Sequence, residues 1–193
     1  MKIYDISQEV FGCKVYPGDP APRRIVEASI ENGDVCNLTS FSMCTHNGTH
    51  IDAPFHFVND GETVDSLPLE VFVGKCFVSE FEGNIGKSDA ENIIKKAGDF
   101  KDRILIKGKA VVTSGAALAF AENGVLLVGN ESQTVGPEDA PMEVHNILLG
   151  KGVVLLEGIC LKDVPEGKYF LSAAPLNLSG SDGSPCRAVL VEF

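Results

Sequence analysis

The chain has 193 residues, and its 44% of apolar and 22% of charged residues are typical of a folded globular protein. Its 16 basic and 27 acidic residues give a net charge of −11, which repels phosphate backbones and anionic lipids and so argues against nucleic-acid or membrane binding. No stretch approaches the roughly 20 consecutive apolar residues that span a bilayer, and the N-terminus lacks a secretory signal pattern. We therefore expect a cytoplasmic protein with a single domain over residues 1–193.

Short β-type runs alternate with turn signals along most of the chain. The prolines and glycine of residues 16–20 (YPGDP) predict a loop. Strands are predicted at the N-terminus and at residues 37–43, 71–82, 103–107, 125–128, 153–156 and 188–193. The runs at 125–128 and 153–156 are continuously apolar, which is typical of strands that are buried on both faces.

Two short helices are predicted in the middle of the chain. Residues 88–97 begin with Ser88, a good capping residue, and end before Gly98. Residues 114–122 are closed by Asn123 and Gly124. Because strands outnumber helices, the predicted fold class is α/β with a mixed, strand-rich core.

The histidines are concentrated in one short segment. Three of the four lie within residues 46–56, which read HNGTHIDAPFH. Gly48 and Pro54 argue against a continuous helix, and an extended segment would place alternate side chains on one face. His46, His50, Asp52 and His56 would then converge, while Ile51 and Phe55 would point toward the core.

Imidazole and carboxylate groups suit zinc and neighbouring divalent ions. Three protein ligands with an open position are typical of a catalytic zinc, which lowers the pKa of a bound water and polarises a carbonyl oxygen. A remaining histidine would move protons near neutral pH. In the competing interpretation, each of the three histidines is an ordinary surface residue and Asp52 only forms a turn. That interpretation requires four metal-competent side chains to occur by chance within eleven residues.

The fourth histidine, His145, precedes Glu157, which interrupts an otherwise apolar strand. A buried carboxylate there would be costly unless it were paired or bound to a cation, which a metal ion would provide. The sequence does not favour metal binding by Glu157 over a second interpretation, in which Glu157 lies at an exposed strand end or pairs with Lys162.

Four further residues invite a functional interpretation but have a simpler one. Cys44 and the other five cysteines form no CxxC pair and are expected to be reduced, mostly buried thiols. Asp60 and Asp65 follow the histidine segment, and Asn59-Asp60-Gly61 is typical of a turn. Arg187 would serve either a substrate carboxylate or a surface ion pair.

The segment His46-Asn47-Gly48-Thr49-His50-Ile51-Asp52-Ala53-Pro54-Phe55-His56 matches HxGTHxDxPxH, the signature of the family called putative cyclases. The best-known members of that family are bacterial kynurenine formamidases, and isatin hydrolases are relatives. Residues 16–20, 67–70 (LPLE) and 182–187 (DGSPCR) also resemble family segments, so the resemblance covers most of the chain.

The resemblance implies a role for each member of the signature. His46, His50 and Asp52 are similar to the primary metal ligands of the family, and His56 is similar to its catalytic histidine. His145 and Glu157 resemble the residues that complete a second metal position. The implied cofactor is one or two divalent ions, Zn²⁺ or Mn²⁺.

The resemblance also implies a compact swivelling β/β/α domain, assembly as a homodimer or homotetramer, and a small-molecule amide as substrate. The expected activity is metal-dependent hydrolysis of the C–N bond of a formamide such as formylkynurenine. Two alternatives remain at this point. One is hydrolysis of a cyclic amide or lactone with the same ligands, and the other is a metal- or small-molecule-binding protein without catalysis.

Overall fold

A computed structural model of the chain describes residues 1–193 and contains one nine-stranded sheet, two two-stranded sheets and three α-helices. The thirteen strands, in chain order, are β1 (Lys2–Asp5), β2 (Arg23–Ala28), β3 (Leu38–Ser42), β4 (His50–Asp52), β5 (Val73–Glu80), β6 (Gly83–Ile85), β7 (Arg103–Lys107), β8 (Ala110–Val112), β9 (Leu127–Asn130), β10 (Val154–Glu157), β11 (Gly167–Ser172), β12 (Gly183–Pro185) and β13 (Val189–Glu192). The helices are α1 (Lys87–Ala97), α2 (Ser114–Glu122) and α3 (Met142–Gly150).

The large sheet has the strand order β1-β13-β11-β5-β7-β9-β10-β4-β12. The four strands from β5 to β10 pair in parallel, and the strands on both sides of them pair antiparallel. The parallel strands are buried on both faces, as the continuous apolar runs predict.

Alternation along β7 separates two hydrophobic cores. Ile104 and Ile106 belong to a core of 22 buried residues that also contains the apolar faces of the three helices. Leu105 belongs to a second core of 21 residues on the other face of the sheet, with Ile51 and Leu156. The sheet is therefore covered on both sides, which fixes the register of β4 and β10 beside each other.

The predicted α/β class with a strand-rich core is confirmed, and the bounds of β7 and α2 agree with the sequence prediction. The start of α1 differs, because Gly86 is the residue before the helix and its N–H donates to the Asp89 carboxylate at 2.9 Å. Ser88 lies inside the helix and does not cap it. Helix α3 was not predicted from the sequence.

Strands β2 and β3 pair only with each other, and most of their residues are exposed. Ile25, Val26, Leu38 and Phe41 on these two strands are 46%, 58%, 55% and 56% exposed. An isolated two-stranded sheet is marginally stable in water, so apolar side chains on both of its strands form an unusual surface. None of the α-helices has the length and apolar composition needed to traverse a membrane.

Candidate metal centre

The histidine signature folds as a turn, a short strand and a 3-10 helix. Gly48 has a φ of 68°, in the left-handed region that favours glycine, and this turn delivers the chain into β4. Residues Pro54–His56 form the 3-10 helix. Ile51 is fully buried, as expected, but the prediction for Phe55 is wrong: it is 39% exposed because the helix at Pro54 ends the alternation of the strand.

Strand β4 lies between β10 and β12, and this neighbourhood assembles the site. Glu157 of β10 lies opposite His50, and Gly183 of β12 lies opposite Asp52. His145 comes from α3, which packs against the 3-10 helix of the signature. Residues that are more than a hundred positions apart in the sequence therefore meet around one short strand.

Asp52 is at the centre of the cluster. Its Oδ1 atom lies 2.7 Å from Nδ1 of His46 and 3.3 Å from Nε2 of His50. Its Oδ2 atom lies 3.7 Å from Nε2 of His145, is buried and has no hydrogen-bond partner. A buried carboxylate oxygen without a partner is costly, so Oδ2 marks a position where a cation would be stabilised.

Glu157 is 2% exposed and faces the same point. Its Oε1 atom lies 3.2 Å from Nε2 of His145, and its Oε2 atom lies 3.6 Å from Nε2 of His50. The backbone N–H of Val135 also donates to Oε1 at 2.7 Å. The interpretation with an exposed strand end or a Lys162 partner is therefore wrong, because β10 is interior to the sheet.

Backbone carbonyls fix the orientation of two histidine rings. Nδ1 of His50 lies 3.0 Å from the carbonyl oxygen of Gly48, and Nδ1 of His145 lies 2.9 Å from that of Pro141. A carbonyl oxygen only accepts hydrogen bonds, so both Nδ1 atoms carry hydrogen and both Nε2 atoms face the cluster. This is the arrangement that metal-ligating histidines adopt.

His56 lies beside this cluster and stacks on His46, with ring centroids 4.0 Å apart. The carboxylate of Asp182 contacts both rings: Oδ2 lies 2.9 Å from Nε2 of His46 and 3.2 Å from Nδ1 of His56. The Phe57 ring contacts His56 edge to face, with ring centroids 4.7 Å apart, and its centroid lies 4.8 Å from that of His145. His56 therefore has both polar and apolar neighbours.

All six residues predicted from the sequence meet at a cavity of about 260 Å³. Tyr16, Asp19, Phe57, Gln133, Thr134 and Pro141 complete its lining. No lysine or arginine is among the lining residues, so histidines are the only basic groups there. Two larger surface clefts, of about 540 and 550 Å³, are lined by no histidine.

The charges of the cluster depend on one another. Burial lowers the pKa of His46, but hydrogen bonds to Asp182 and Asp52 outweigh burial and raise the pKa to about 11. Burial likewise opposes protonation of His50, and its contacts with Asp52 and Glu157 raise the pKa to about 9. Burial raises the pKa of Asp52, yet hydrogen bonds from the two histidines hold it well below its usual range.

His56 behaves differently from the other histidines. Burial is the largest influence on its pKa and lowers it below the ordinary value of 6.5, although the carboxylates of Asp52 and Asp182 oppose this. The ring is therefore neutral at neutral pH and has a lone pair available to accept a proton.

The residues present fit a divalent metal ion. Ligand atoms about 2.0–2.2 Å from a tetrahedral zinc lie roughly 3.4 Å from one another. The contacts of Asp52 and Glu157 with the three facing imidazoles, between 2.7 and 3.7 Å, are close to that spacing. Two groups of potential ligand atoms share Asp52: one contains His46 and His56, and the other contains His50 and Glu157.

The four further residues for which the sequence suggested a functional interpretation lie outside the cluster. Arg187 is exposed and forms an ion pair with Asp5, which agrees with the interpretation of Arg187 as part of a surface ion pair. Asp65 accepts hydrogen bonds from Thr63 and from the backbone of Gly180. Neither Cys44 nor Asp60 lines the cavity.

Asp182 is the contact that sequence reasoning missed. In the sequence, Asp182 is the first residue of the segment at 182–187, and its Asp182-Gly183 pair is typical of an ordinary turn. Its distance of 126 residues from His56 hides the contact, since only the pairing of β12 with β4 brings the two together.

The raised pKa values of His46 and His50 predict how the stability of the metal-free protein depends on pH. Their protonated forms stabilise the fold fully below the unfolded pKa of about 6.5, and this contribution is lost as the pH rises through about 9 and then about 11. Urea unfolding of chelator-treated protein should therefore give a lower free energy of unfolding at pH 9 than at pH 6.5. Metal-loaded protein is the control, and its free energy of unfolding should fall less between pH 6.5 and pH 9. Equal stability of the metal-free protein at both pH values would contradict this account.

Comparison with known proteins agrees with this geometry. The family model described as "Putative cyclase" matches residues 4–135. The kynurenine formamidase of Salinibacter ruber is 36% identical, and the match covers 98% of this chain and 97% of the relative. A solved structure described as a potential metal-dependent hydrolase with cyclase activity is 32% identical, with a TM-score of 0.81 over 98% of this chain and 96% of that one.

Isatin hydrolase A from Labrenzia aggregata, whose structure was solved with benzyl benzoate, is 21% identical. Its TM-score of 0.86, over 100% of this chain and 94% of that one, shows that it shares the fold. The family match and the nearly full-length identity to a kynurenine formamidase show that this chain belongs to the cyclase family.

Proposed function

We propose that this chain is a metal-dependent amidohydrolase that cleaves the C–N bond of a small formamide, with formylkynurenine as the first substrate to test. The observation that carries the proposal is the buried Asp52 carboxylate, whose Oδ2 atom has no hydrogen-bond partner and which lines the same cavity as all four histidines. The similarity to kynurenine formamidases along nearly the whole chain supports the formamide as substrate class.

We infer that the site holds one or two divalent ions, Zn²⁺ in the first instance and Mn²⁺ in the second. His46, His50 and Asp52 would hold one ion, and His145 and Glu157 would complete a second position. Such an ion would polarise the substrate carbonyl and lower the pKa of a bound water. Imidazole and carboxylate ligands suit both metals, so ligand chemistry alone does not separate them.

His56 is the catalytic residue in this proposal. Its Nδ1 atom faces Asp182, and its neutral ring offers the lone pair of Nε2 to a proton. His56 would take a proton from the attacking water and return it to the departing amine. The Phe57 ring beside it gives the cavity an apolar wall against which an aryl group would pack.

The variants His56→Ala and His50→Ala separate the chemical step from metal binding. We expect His56→Ala to lower kcat by about 10²–10⁴-fold, the usual contribution of a general acid–base group, while elemental analysis still finds metal. His50→Ala should lose both metal and activity, because its Nε2 atom faces both buried carboxylates.

Formylkynurenine, a cyclic amide such as isatin, and a lactone serve as substrates in the same assay. Turnover of His56→Ala at the parental rate would remove the catalytic role, and full metal content in His50→Ala would remove its ligand role. Hydrolysis of the cyclic amide or the lactone alone would replace the formamide as substrate class. Metal binding without turnover of any substrate would make the chain a binding protein.

We also propose that the chain assembles as a homodimer or homotetramer. The support is the exposed apolar surface of the β2–β3 hairpin, which a second copy would cover. Sedimentation equilibrium should give a mass of at least twice 20.6 kDa, and Val26→Lys with Leu38→Lys should lower it. A monomeric parent protein would contradict the proposal.

A further inference from the structure

Asp182 is held beside the site by the backbone on both of its sides. Its carbonyl oxygen accepts the N–H of Ala53 at 2.9 Å, and Gly183 begins the strand that pairs with Asp52. A Cβ atom on Gly183 would lie 2.7 Å from Cε1 of His46, so only glycine lets the chain pass this close to the ring. The position of Asp182 is therefore determined by the same sheet pairing that positions Asp52.

One oxygen of Asp182 serves two rings. Oδ2 contacts Nε2 of His46 and Nδ1 of His56, while Oδ1 accepts a hydrogen bond from Oγ1 of Thr45 at 3.3 Å. The two imidazoles are stacked with an angle of 27° between their planes, so both present a nitrogen edge to the same carboxylate.

The chemistry of this contact determines which nitrogens remain free. A carboxylate oxygen only accepts, so the ring nitrogens that face Asp182 carry hydrogen. Nδ1 of His46 faces Oδ1 of Asp52, 2.7 Å away, and also carries hydrogen in the metal-free protein; a metal ion would replace that proton and leave Nδ1 as its ligand atom. His56 has Nε2 left for the substrate side. A carboxylate behind a metal-ligating histidine also fixes its ring and increases its basicity.

We propose that Asp182 is a positioning residue that couples the two histidines, holding His46 in its metal-binding orientation and His56 in the tautomer whose Nε2 accepts a proton. The second half of this inference rests on the proposed catalytic role of His56, whereas the first half rests only on the proposed metal site. Asp182 itself is not among the residues that line the cavity.

Asp182→Ala and Asp182→Asn test the proposal. Loss of an outer partner of a ligand typically costs 10–100-fold in metal affinity or activity. For Asp182→Ala we expect a 10–100-fold weaker zinc affinity in competition with a chromogenic chelator. At saturating metal we expect a 10–100-fold lower kcat, with KM changed less than threefold.

Asp182→Asn keeps the shape of the side chain and one acceptor oxygen, but it removes the negative charge. Its amide cannot replace a carboxylate that accepts hydrogen bonds from two imidazole rings. It should therefore lie between the parent and Asp182→Ala in both measurements. It also keeps the test valid if the alanine variant folds poorly. Asp65→Asn is the matched control. Asp65 accepts a hydrogen bond from the backbone N–H of Gly180, which lies two residues before Asp182, and its other hydrogen bond comes from Thr63. This variant should change neither the zinc affinity nor kcat.

A double-mutant cycle with His56→Ala separates positioning from a general structural effect. If Asp182 acts through His56, adding Asp182→Ala to His56→Ala should lower kcat less than twofold further. An equal loss of kcat in both backgrounds would overturn the link to His56. Zinc affinity equal to that of the parent in Asp182→Ala would overturn the link to His46. A parent protein that hydrolyses no formamide would refute the proposed function, and the zinc measurement would still decide the role toward His46.

Discussion

The structure depends on one electrostatic constraint: two carboxylates, Asp52 and Glu157, are buried side by side. They are 1% and 2% exposed, and water cannot solvate their charges there. Buried carboxylates require positive charge and hydrogen-bond donors close by, since their mutual repulsion and desolvation are otherwise unfavourable by several kcal/mol. The histidines around them meet this requirement in two ways, as protonated rings without a metal ion and as neutral ligands with one.

The fold places these charges by sheet pairing rather than by local sequence. β4 lies between β10 and β12, so that Glu157 and Asp182 reach the signature from opposite sides. Hydrogen bonds to backbone carbonyls turn Nε2 of His50 and His145 inward. The same three-residue strand carries two ligand candidates, His50 and Asp52, and between them the buried Ile51, which anchors the strand in the core. Function and packing are thus coupled in one short element.

The site was predictable from sequence only where its residues are close together. His46, His50, Asp52 and His56 lie within eleven residues, and their signature points to metal chemistry without a structure. Gly48 and Pro54 indicate that the segment departs from a regular strand, but the sequence did not predict that Pro54–His56 form a 3-10 helix, and this is why Phe55 is exposed.

Long-range partners were less predictable. For Glu157 the sequence left two interpretations open, and the interior position of β10 decided between them. Asp182 carried no local signal beyond a turn. Helix α3, which carries His145, is preceded by Pro141 and has no side-chain cap, so the sequence carries no start signal for it, whereas α2 has a capping threonine and a clear end. Elements with a clear local pattern, such as β7 and α2, were thus predictable, while contacts across the sheet were not.

The central claim is that the cluster around Asp52 exists to bind a divalent ion, and metal content tests it most directly. Elemental analysis of protein purified without chelator should find one to two equivalents of zinc or manganese per chain, which chelation removes and added metal restores. A folded protein that contains no divalent metal and takes up neither ion when they are added would contradict the account.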